Sequence, residues 1–293
     1  MKKAILFIVV LVLSFGSTVY AQPDEKQLKE ASKLYEKGEY KSVIRLLKPE
    51  TDNDILNAET EMLLGDAYHK QEDFIDAIEH YDLAQKKGEN SFELYFHRAR
   101  AYISIEEYKK ASKDLDKAIS FQPDNSELYF FRAYAETELE NYNKAVDDYS
   151  KAIELNPDFQ EAYFNRGAIK IDMEDYEGGI VDLEMAQVMD PENEDAALNL
   201  AIISYEQKNF EEALPMFEEI IEITNDKQNK LDANYYIAEC YDALGDTDNA
   251  CKYFYKAMKL GDKDSEEIFE NYCENNEIRN LFKPRKKLEK VSF

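Results

Sequence analysis

The sequence predicts an all-α protein: an α-α superhelix (solenoid) of about seven helix-turn-helix repeats of 34 residues, closed by a C-terminal capping helix. Three observations carry that expectation. The segments "ELYFHRARAY", "ELYFFRAYAE" and "EAYFNRGAIK" set Tyr95, Tyr129 and Tyr163 three residues before Arg98, Arg132 and Arg166, and the pattern returns every 34 residues. Counted from residue 24 at that period, with three extra residues in "NDKQNK", units start at 24, 58, 92, 126, 160, 194 and 231. In that frame the eighth position is Ala31, Gly65, Ala99, Ala133, Gly167, Ala201 and Ala238, and the twentieth is alanine in every unit except for Val43 and Gly179. The third observation is composition: 9 glycines and 7 prolines in 293 residues leave little material for the turns of an all-β fold.

Taken in chain order, the first element is a leader. "MKKAILFIVVLVLSFGSTVYAQ" joins a basic start (Lys2, Lys3) to an apolar run, Ala4 to Leu13, and ends in Val19-Tyr20-Ala21. That is the form of a secretory signal peptide, residues 1–21, with cleavage expected after Ala21 and an uncleaved anchor as the alternative. No cysteine follows the run to take a lipid, and no later segment is long and apolar enough to span a bilayer. The expectation is an exported protein, periplasmic or secreted.

Residues 22–264 form the expected solenoid. Each unit holds two stretches of helical periodicity, such as Tyr142, Ala145, Tyr149 and Ala152, separated by a short polar break such as "ELENY" or "SIEEY". Pro123, Pro157 and Pro191 follow Gln, Asn and Asp at the ends of units, where a proline stops one helix before the next turn. Small residues at positions 8 and 20 let the paired helices cross closely, and an aromatic at position 24 (Tyr81, Tyr149, Phe217, Phe254) fills the space beside them. A capping helix is expected at 265–277, followed by a basic tail at 278–293.

This period and residue set resemble the tetratricopeptide repeat, over residues 24 to 264, with tyrosine where the family usually has tryptophan. The resemblance implies stacked helix pairs whose first helices line a concave groove, with positions 2, 5, 6, 9, 12 and 13 facing into it. The implied groove residues are Phe96, His97, Arg100, Phe130, Phe131 and Tyr134, continuing through Phe164, Asn165, Leu198, Asn199, Tyr235 and Tyr236. Such an aromatic ladder with amides suits an extended peptide of a protein partner, and it could also stack against a glycan. The family's lysine-and-asparagine clamp for a C-terminal carboxylate is not reproduced, because Arg100 alone is basic among the central positions.

The arginines have their own logic. Arg98, Arg132 and Arg166 stand at position 7, and in the same three units position 23 is Asp114, Asp148 and Asp182. Where position 7 is Leu64, Leu200 or Ile237, position 23 is His80, Met216 or Tyr253. Residues that appear and vanish together on facing helices predict three within-repeat ion pairs. A ligand-binding arginine would not need an aspartate in step.

The sequence offers no site for catalysis, cofactor or metal. His69, His80 and His97 fall at unlike repeat positions, and no HExxH, GxSxG or glycine-rich phosphate loop is present. "DNDILNAETE" has acidic spacing but lacks the central glycine of a calcium loop. A formal net charge of -26 repels a phosphate backbone, so nucleic acid is not an expected partner. The expectation is a non-enzymatic binding scaffold. Three cysteines remain. The run "ACKYFYKAMKLGDKDSEEIFENYC" resembles the close of exported repeat proteins of Bacteroidetes-type bacteria, which implies a Cys251–Cys273 disulfide holding the cap. A Cys240–Cys251 bridge across the hairpin and three buried thiols are the open alternatives.

Overall fold

The computed structural model describes residues 25–47, 56–191 and 193–273. The signal segment, residues 1–21, and the tail, residues 278–293, lie outside them. All regular structure among the described residues is helical. By packing, the chain divides into two units, Met1–Asn90 and Ser91–Phe293.

The first unit holds two helical hairpins: α1 (Glu25–Glu36) with α2 (Tyr40–Leu47), and α3 (Ala58–His69) with α4 (Phe74–Lys86). Ala31, Val43, Leu64, Ala77, Tyr81 and Ala84 are buried, as the repeat frame expects. Repeat 2 lacks the arginine and uses another polar lock. Glu61, fully buried, is hydrogen-bonded to His80 Nδ1 at 2.7 Å and ion-paired with Lys87 Nζ at 2.6 Å, so both of its oxygens are held.

The second unit stacks five hairpins. They are α5 (Phe92–Ser104) with α6 (Tyr108–Phe121), α7 (Ser126–Glu138) with α8 (Tyr142–Leu155), and α9 (Gln160–Asp172) with α10 (Tyr176–Met189). Then come α11 (Glu194–Glu206) with α12 (Phe210–Ile223), and α13 (Lys227–Ala243) with α14 (Thr247–Leu260). Several first helices begin on a side-chain cap: Ser91 accepts from Leu94 N, Asn125 from Glu127 N, and Asn193 from Ala196 N. The three extra residues before repeat 7 do not form a loop. Asp226 caps them by accepting from Gln228 N and Asn229 N, and α13 starts a turn early at Lys227. Each hairpin buries its position-24 side chain, which is Leu115 and Leu183 in repeats 3 and 5 and an aromatic in the other three. Tyr149, Phe217 and Phe254 are wholly enclosed, each contributing about 1.5–3 kcal/mol of burial.

The turns between paired helices share one backbone solution. The amide of Glu106 bonds to Ile103 O and that of Glu107 to Tyr102 O, and the same two bonds recur at Glu140 and Asn141 and at Glu174 and Asp175. This geometry requires a left-handed residue at repeat position 15. Gly38 and Gly245 supply it in the outermost repeats, but Glu72, Glu106, Glu140, Glu174 and Lys208 hold φ of 61–66° in the other five. In repeat 5 the helices cross on two glycines: a methyl on Gly167 would meet Gly179 O at 3.0 Å, and one on Gly179 would meet Gly167 O at 2.9 Å. Alanine stands at those places elsewhere in the unit.

The described part of the expected 265–277 cap begins at Lys263 and ends at Cys273, and residues 274–277 lie outside the described residues. It runs as α15 (Lys263–Ile268) and a π-helical turn, Phe269–Cys273, started by Asp262, which accepts from Ser265 N. Ile268 and Tyr272 close the apolar end of the stack over Phe254 and Ala257. Cys251 and Cys273 are joined by a disulfide, with Cα atoms 5.6 Å apart, and Cys240 is a buried free thiol. Burial, reinforced by the neighbouring Glu239 charge, pushes that thiol up to about 12.

Candidate functional site

The three arginines are structural connectors. Arg98 donates from Nε and Nη2 to the two Asp114 oxygens at 2.7 and 2.9 Å, and both side chains are buried. Arg132 grips Asp148 in the same forked way at 2.8 and 2.6 Å, and Arg166 grips Asp182 at 2.8 and 2.6 Å. Each guanidinium also lies over the tyrosine three residues before it, at 5.6–5.7 Å from the ring centroid. Burial alone would lower the Arg132 pKa, but the bonds to Asp148 and Asp116 outweigh it and hold the charge more firmly than in water.

The sequence reading missed what the third nitrogen does. Arg132 Nη1 donates to Asp116 Oδ1 at 2.7 Å, and Arg166 Nη1 donates to Ser150 Oγ at 2.9 Å. Both acceptors stand at position 25 of the preceding repeat, sixteen residues before the arginine. The signal was present, since an acceptor precedes each arginine by the same interval that separates it from its aspartate. A second link joins repeats 3 and 4: Ser112 Oγ donates to buried Glu136, which also takes Asn141 Nδ2 at 2.8 Å and Lys144 Nζ at 2.6 Å. The bonds from Lys144, Ser112 and Asn141 outweigh the burial and lower the Glu136 pKa below the usual range.

The open face of the second unit belongs to its first helices. Successive first helices, α5 with α7 and α11 with α13, approach each other directly, and no pair of second helices does so to a like extent. The first-helix side is therefore the inner one. Position 3 of those helices (Leu94, Leu128, Ala162, Ala196, Ala233) is fully buried, with Ala162 and Ala196 packed into the core of the preceding hairpin, whereas position 13 is exposed in all five repeats and position 2 is exposed in repeats 3 to 5.

The expected aromatic ladder does not line this face along its whole length. Phe96, Phe130, Phe164, Leu198 and Tyr235, all at position 5, are buried within the stack. The reason is that position 5 sits where one repeat meets the next: Phe130 stacks on Phe159 at 4.6 Å and edges Tyr149 at 5.6 Å. Asn165, Asn199 and Tyr236 at position 6 are also enclosed. Asn165 bonds back to Glu161 O at 3.0 Å, and Tyr236 lies flat on Phe217 of the preceding repeat at 5.2 Å. What stays accessible is a shorter cluster on α5 and α7. Exposed Arg100 lies over the rings of Phe96 and Phe131 at 5.8 and 5.6 Å, beside half-buried His97, Phe131 and Tyr134. Tyr108 meets Tyr134 edge-on at 6.2 Å. Burial, and then the Glu138 charge, raise the pKa of both phenols, which keeps them protonated as hydrogen-bond donors.

Charge frames the cluster. Position 2 is acidic in every repeat of the unit, and Glu93, Glu127 and Glu161 are exposed there. Glu138, Asp172 and Glu206 at position 13 are exposed as well. The arrangement is an aromatic and guanidinium centre between two acidic margins. Among the described residues no group of three or more His, Cys, Asp or Glu is placed to hold a metal, and no helix is long and apolar enough to cross a membrane.

Comparison with known proteins agrees with this architecture. The solved structure of MamA from strain MSR-1 superposes with a TM-score of 0.53 at 19% identity, covering 57% of this chain and 98% of that one. MamA from Desulfovibrio magneticus RS-1, residue 41 to the end, gives 0.53 at 17% identity, covering 58% and 98%. A tetratricopeptide repeat protein from Parabacteroides merdae gives 0.56 at 18% identity, covering 84% and 97%. No curated protein sequence matches this one. Profiles described as tetratricopeptide repeat match residues 92–125 and 193–263, and one described as TPR repeat matches 133–173. The helical hairpins of those three stretches are tetratricopeptide repeats.

Proposed function

We infer that this chain is a non-catalytic interaction scaffold of the cell envelope that holds an extended, basic peptide of a protein partner on the first helices of repeats 3 and 4. The observation that carries the reading is the accessible group His97, Arg100, Phe131 and Tyr134 between exposed acidic margins. Aromatic faces give a peptide contact area at low entropic cost, and the exposed Arg100 guanidinium offers donors to backbone carbonyls. The margins favour lysine and arginine side chains on either side, and oppose nucleic acid.

Export to the periplasm or beyond is part of the same reading. It is supported by the signal-peptide form of residues 1–21 and by the Cys251–Cys273 disulfide, a bond that persists in oxidising compartments. The family of the repeats points to protein partners, and the acidic margins favour a basic peptide over a neutral glycan. The test is a pull-down from envelope extract with the wild type and an Arg100→Ala, Phe131→Ala, Tyr134→Ala variant, at low and high salt. A partner held in this site is lost from the variant and released by salt. Equal recovery of every partner by both proteins removes the site from the reading, and salt-insensitive capture of a glycan replaces the peptide.

A further inference from the structure

On the opposite, second-helix face, repeat 5 breaks a rule that its neighbours keep. Positions 22, 26 and 29 of a repeat share one outward helix face. In repeats 3, 4 and 7 these places hold lysine, aspartate, glutamate or serine, and in repeat 6 Pro215, Glu219 and Glu222. In repeat 5 they are Val181, Met185 and Val188, exposed by 57%, 40% and 75%. An apolar stripe at helical spacing, open to water in so charged a chain, marks a contact surface. One repeat further along, α12 is strongly acidic. The side chains of Glu211, Glu212, Glu219 and Glu222 have no hydrogen-bond or ion-pair partner among the described residues.

The sequence beyond Cys273 has the complementary character. Residues 274–293 set Ile278, Leu281 and Phe282 beside a basic run ending in Lys286, Lys287 and Lys290. The disulfide fixes where this stretch leaves the fold: Cys273 is bonded to Cys251 on α14, next to outward-facing Lys252. The lysine face of α14 (Lys252, Lys256, Lys259) repels a basic stretch, the glutamates of α12 attract it, and the stripe on α10 lies one repeat beyond. Reach is sufficient. Eight and nine extended residues carry Leu281 and Phe282 about 26–32 Å from Cys273, and because the helices zigzag between two layers the straight path from α14 to α10 is shorter than the sum, about 32–40 Å, of four helix spacings of 8–10 Å.

We propose that residues 278–290 bind the second-helix face of repeats 5 and 6 of their own chain, with Leu281 and Phe282 on the Val181–Met185–Val188 stripe and the lysines on Glu219 and Glu222. Tethering through Cys273 raises the local concentration of the segment to the millimolar range, which favours it over a free competitor of similar chemistry. This face is distinct from the first-helix site, so the proposal stands or falls independently of the peptide-binding function.

The test is zero-length carbodiimide coupling on the oxidised full-length chain, with the amide-linked peptides mapped in the monomer fraction. The expected products join Lys283, Lys286, Lys287 or Lys290 to Glu219, Glu222 or Glu184. Met185→Gln with Val188→Gln, an exposed pair whose change leaves the core intact, cuts their yield about tenfold. Leu281→Gln with Phe282→Gln does the same. Three results overturn the proposal: tail lysines coupled evenly to acidic residues throughout the chain, yields unchanged in both variants, or these products confined to a covalent dimer, which makes a second copy the occupant.

Discussion

Arg132 and Asp116 stand one repeat apart and are joined by a 2.7 Å hydrogen bond. The same guanidinium holds Asp148 inside its own repeat, so one side chain closes a hairpin and ties it to its neighbour. The two links differ in worth. Asp148 is nearly enclosed and Asp116 is half exposed, so Arg132→Leu strands a buried carboxylate at a cost of about 3–5 kcal/mol, while Asp116→Asn costs under about 1 kcal/mol. Arg132→Leu combined with Asp148→Leu removes both charges and recovers most of the loss. Urea denaturation of the four proteins checks this, and a double variant no better than Arg132→Leu alone rejects the pairing as a closed energetic unit.

The left-handed turn residues predict an easy gain. Glu106, Glu140 and Glu174 adopt a backbone conformation that costs a side-chain-bearing residue about 1–2 kcal/mol and glycine little. The two outermost repeats already use glycine, at Gly38 and Gly245. Glu106→Gly, Glu140→Gly and Glu174→Gly are each expected to stabilise the chain by about 1 kcal/mol after glycine's greater unfolded-state freedom is counted. Thermal unfolding of the triple variant should shift upward by several degrees. A downward shift would show that these glutamates hold contacts worth more than the backbone strain.

Glu136 predicts a response to acid. Its pKa is depressed on folding, despite burial, by the bonds from Lys144, Ser112 and Asn141. The stability it contributes is therefore complete above the unfolded-chain value near 4.3 (about the model-peptide figure) and disappears as pH falls through the lower folded value. Glu136→Gln should lower stability at pH 7 and lose less of what remains between about pH 5 and pH 3. Denaturation midpoints across that range test the slope. Parallel curves for the two proteins would assign the acid sensitivity to other carboxylates.

The period, the helix pairs and the arginine–aspartate pairs were legible because the repeat supplies seven internal copies to compare. A change at position 7 that is answered at position 23 is visible in one sequence. The groove was less legible. Phe130 and Phe131 are adjacent and alike in type, but position 5 packs between repeats and position 6 of repeat 4 stays accessible. Residue chemistry does not distinguish the two without the stacking geometry. Asn165 and Asn199 misled for the same reason, since a buried amide, such as that of Asn165 bonded to its own helix, carries the same letter as one that faces a ligand. The third donor of Arg132 was hidden because Ser150, its counterpart's acceptor, and Asp116 share an acceptor oxygen but not a charge.

The Cys251–Cys273 disulfide predicts behaviour confined to one end of the stack. It closes a loop of 22 residues around α15 and the π-helical turn, which places its worth at about 3 kcal/mol by loop entropy. In a repeat array each unit is held mainly by its neighbours, so that loss is local. Reduction, or Cys273→Ser, should leave repeats 3 to 5 intact while raising hydrogen exchange in Lys263–Cys273 and the second half of α14. Cys240 provides the internal control. Its thiol is buried and pushed up to about 12, so it stays protonated and slow to alkylate at pH 8. Iodoacetamide should then label no cysteine in the folded oxidised chain, one after unfolding without reductant, and all three after unfolding with it. Labelling of two thiols or more without reductant would mean that the cap is held by packing of Ile268 and Tyr272 alone.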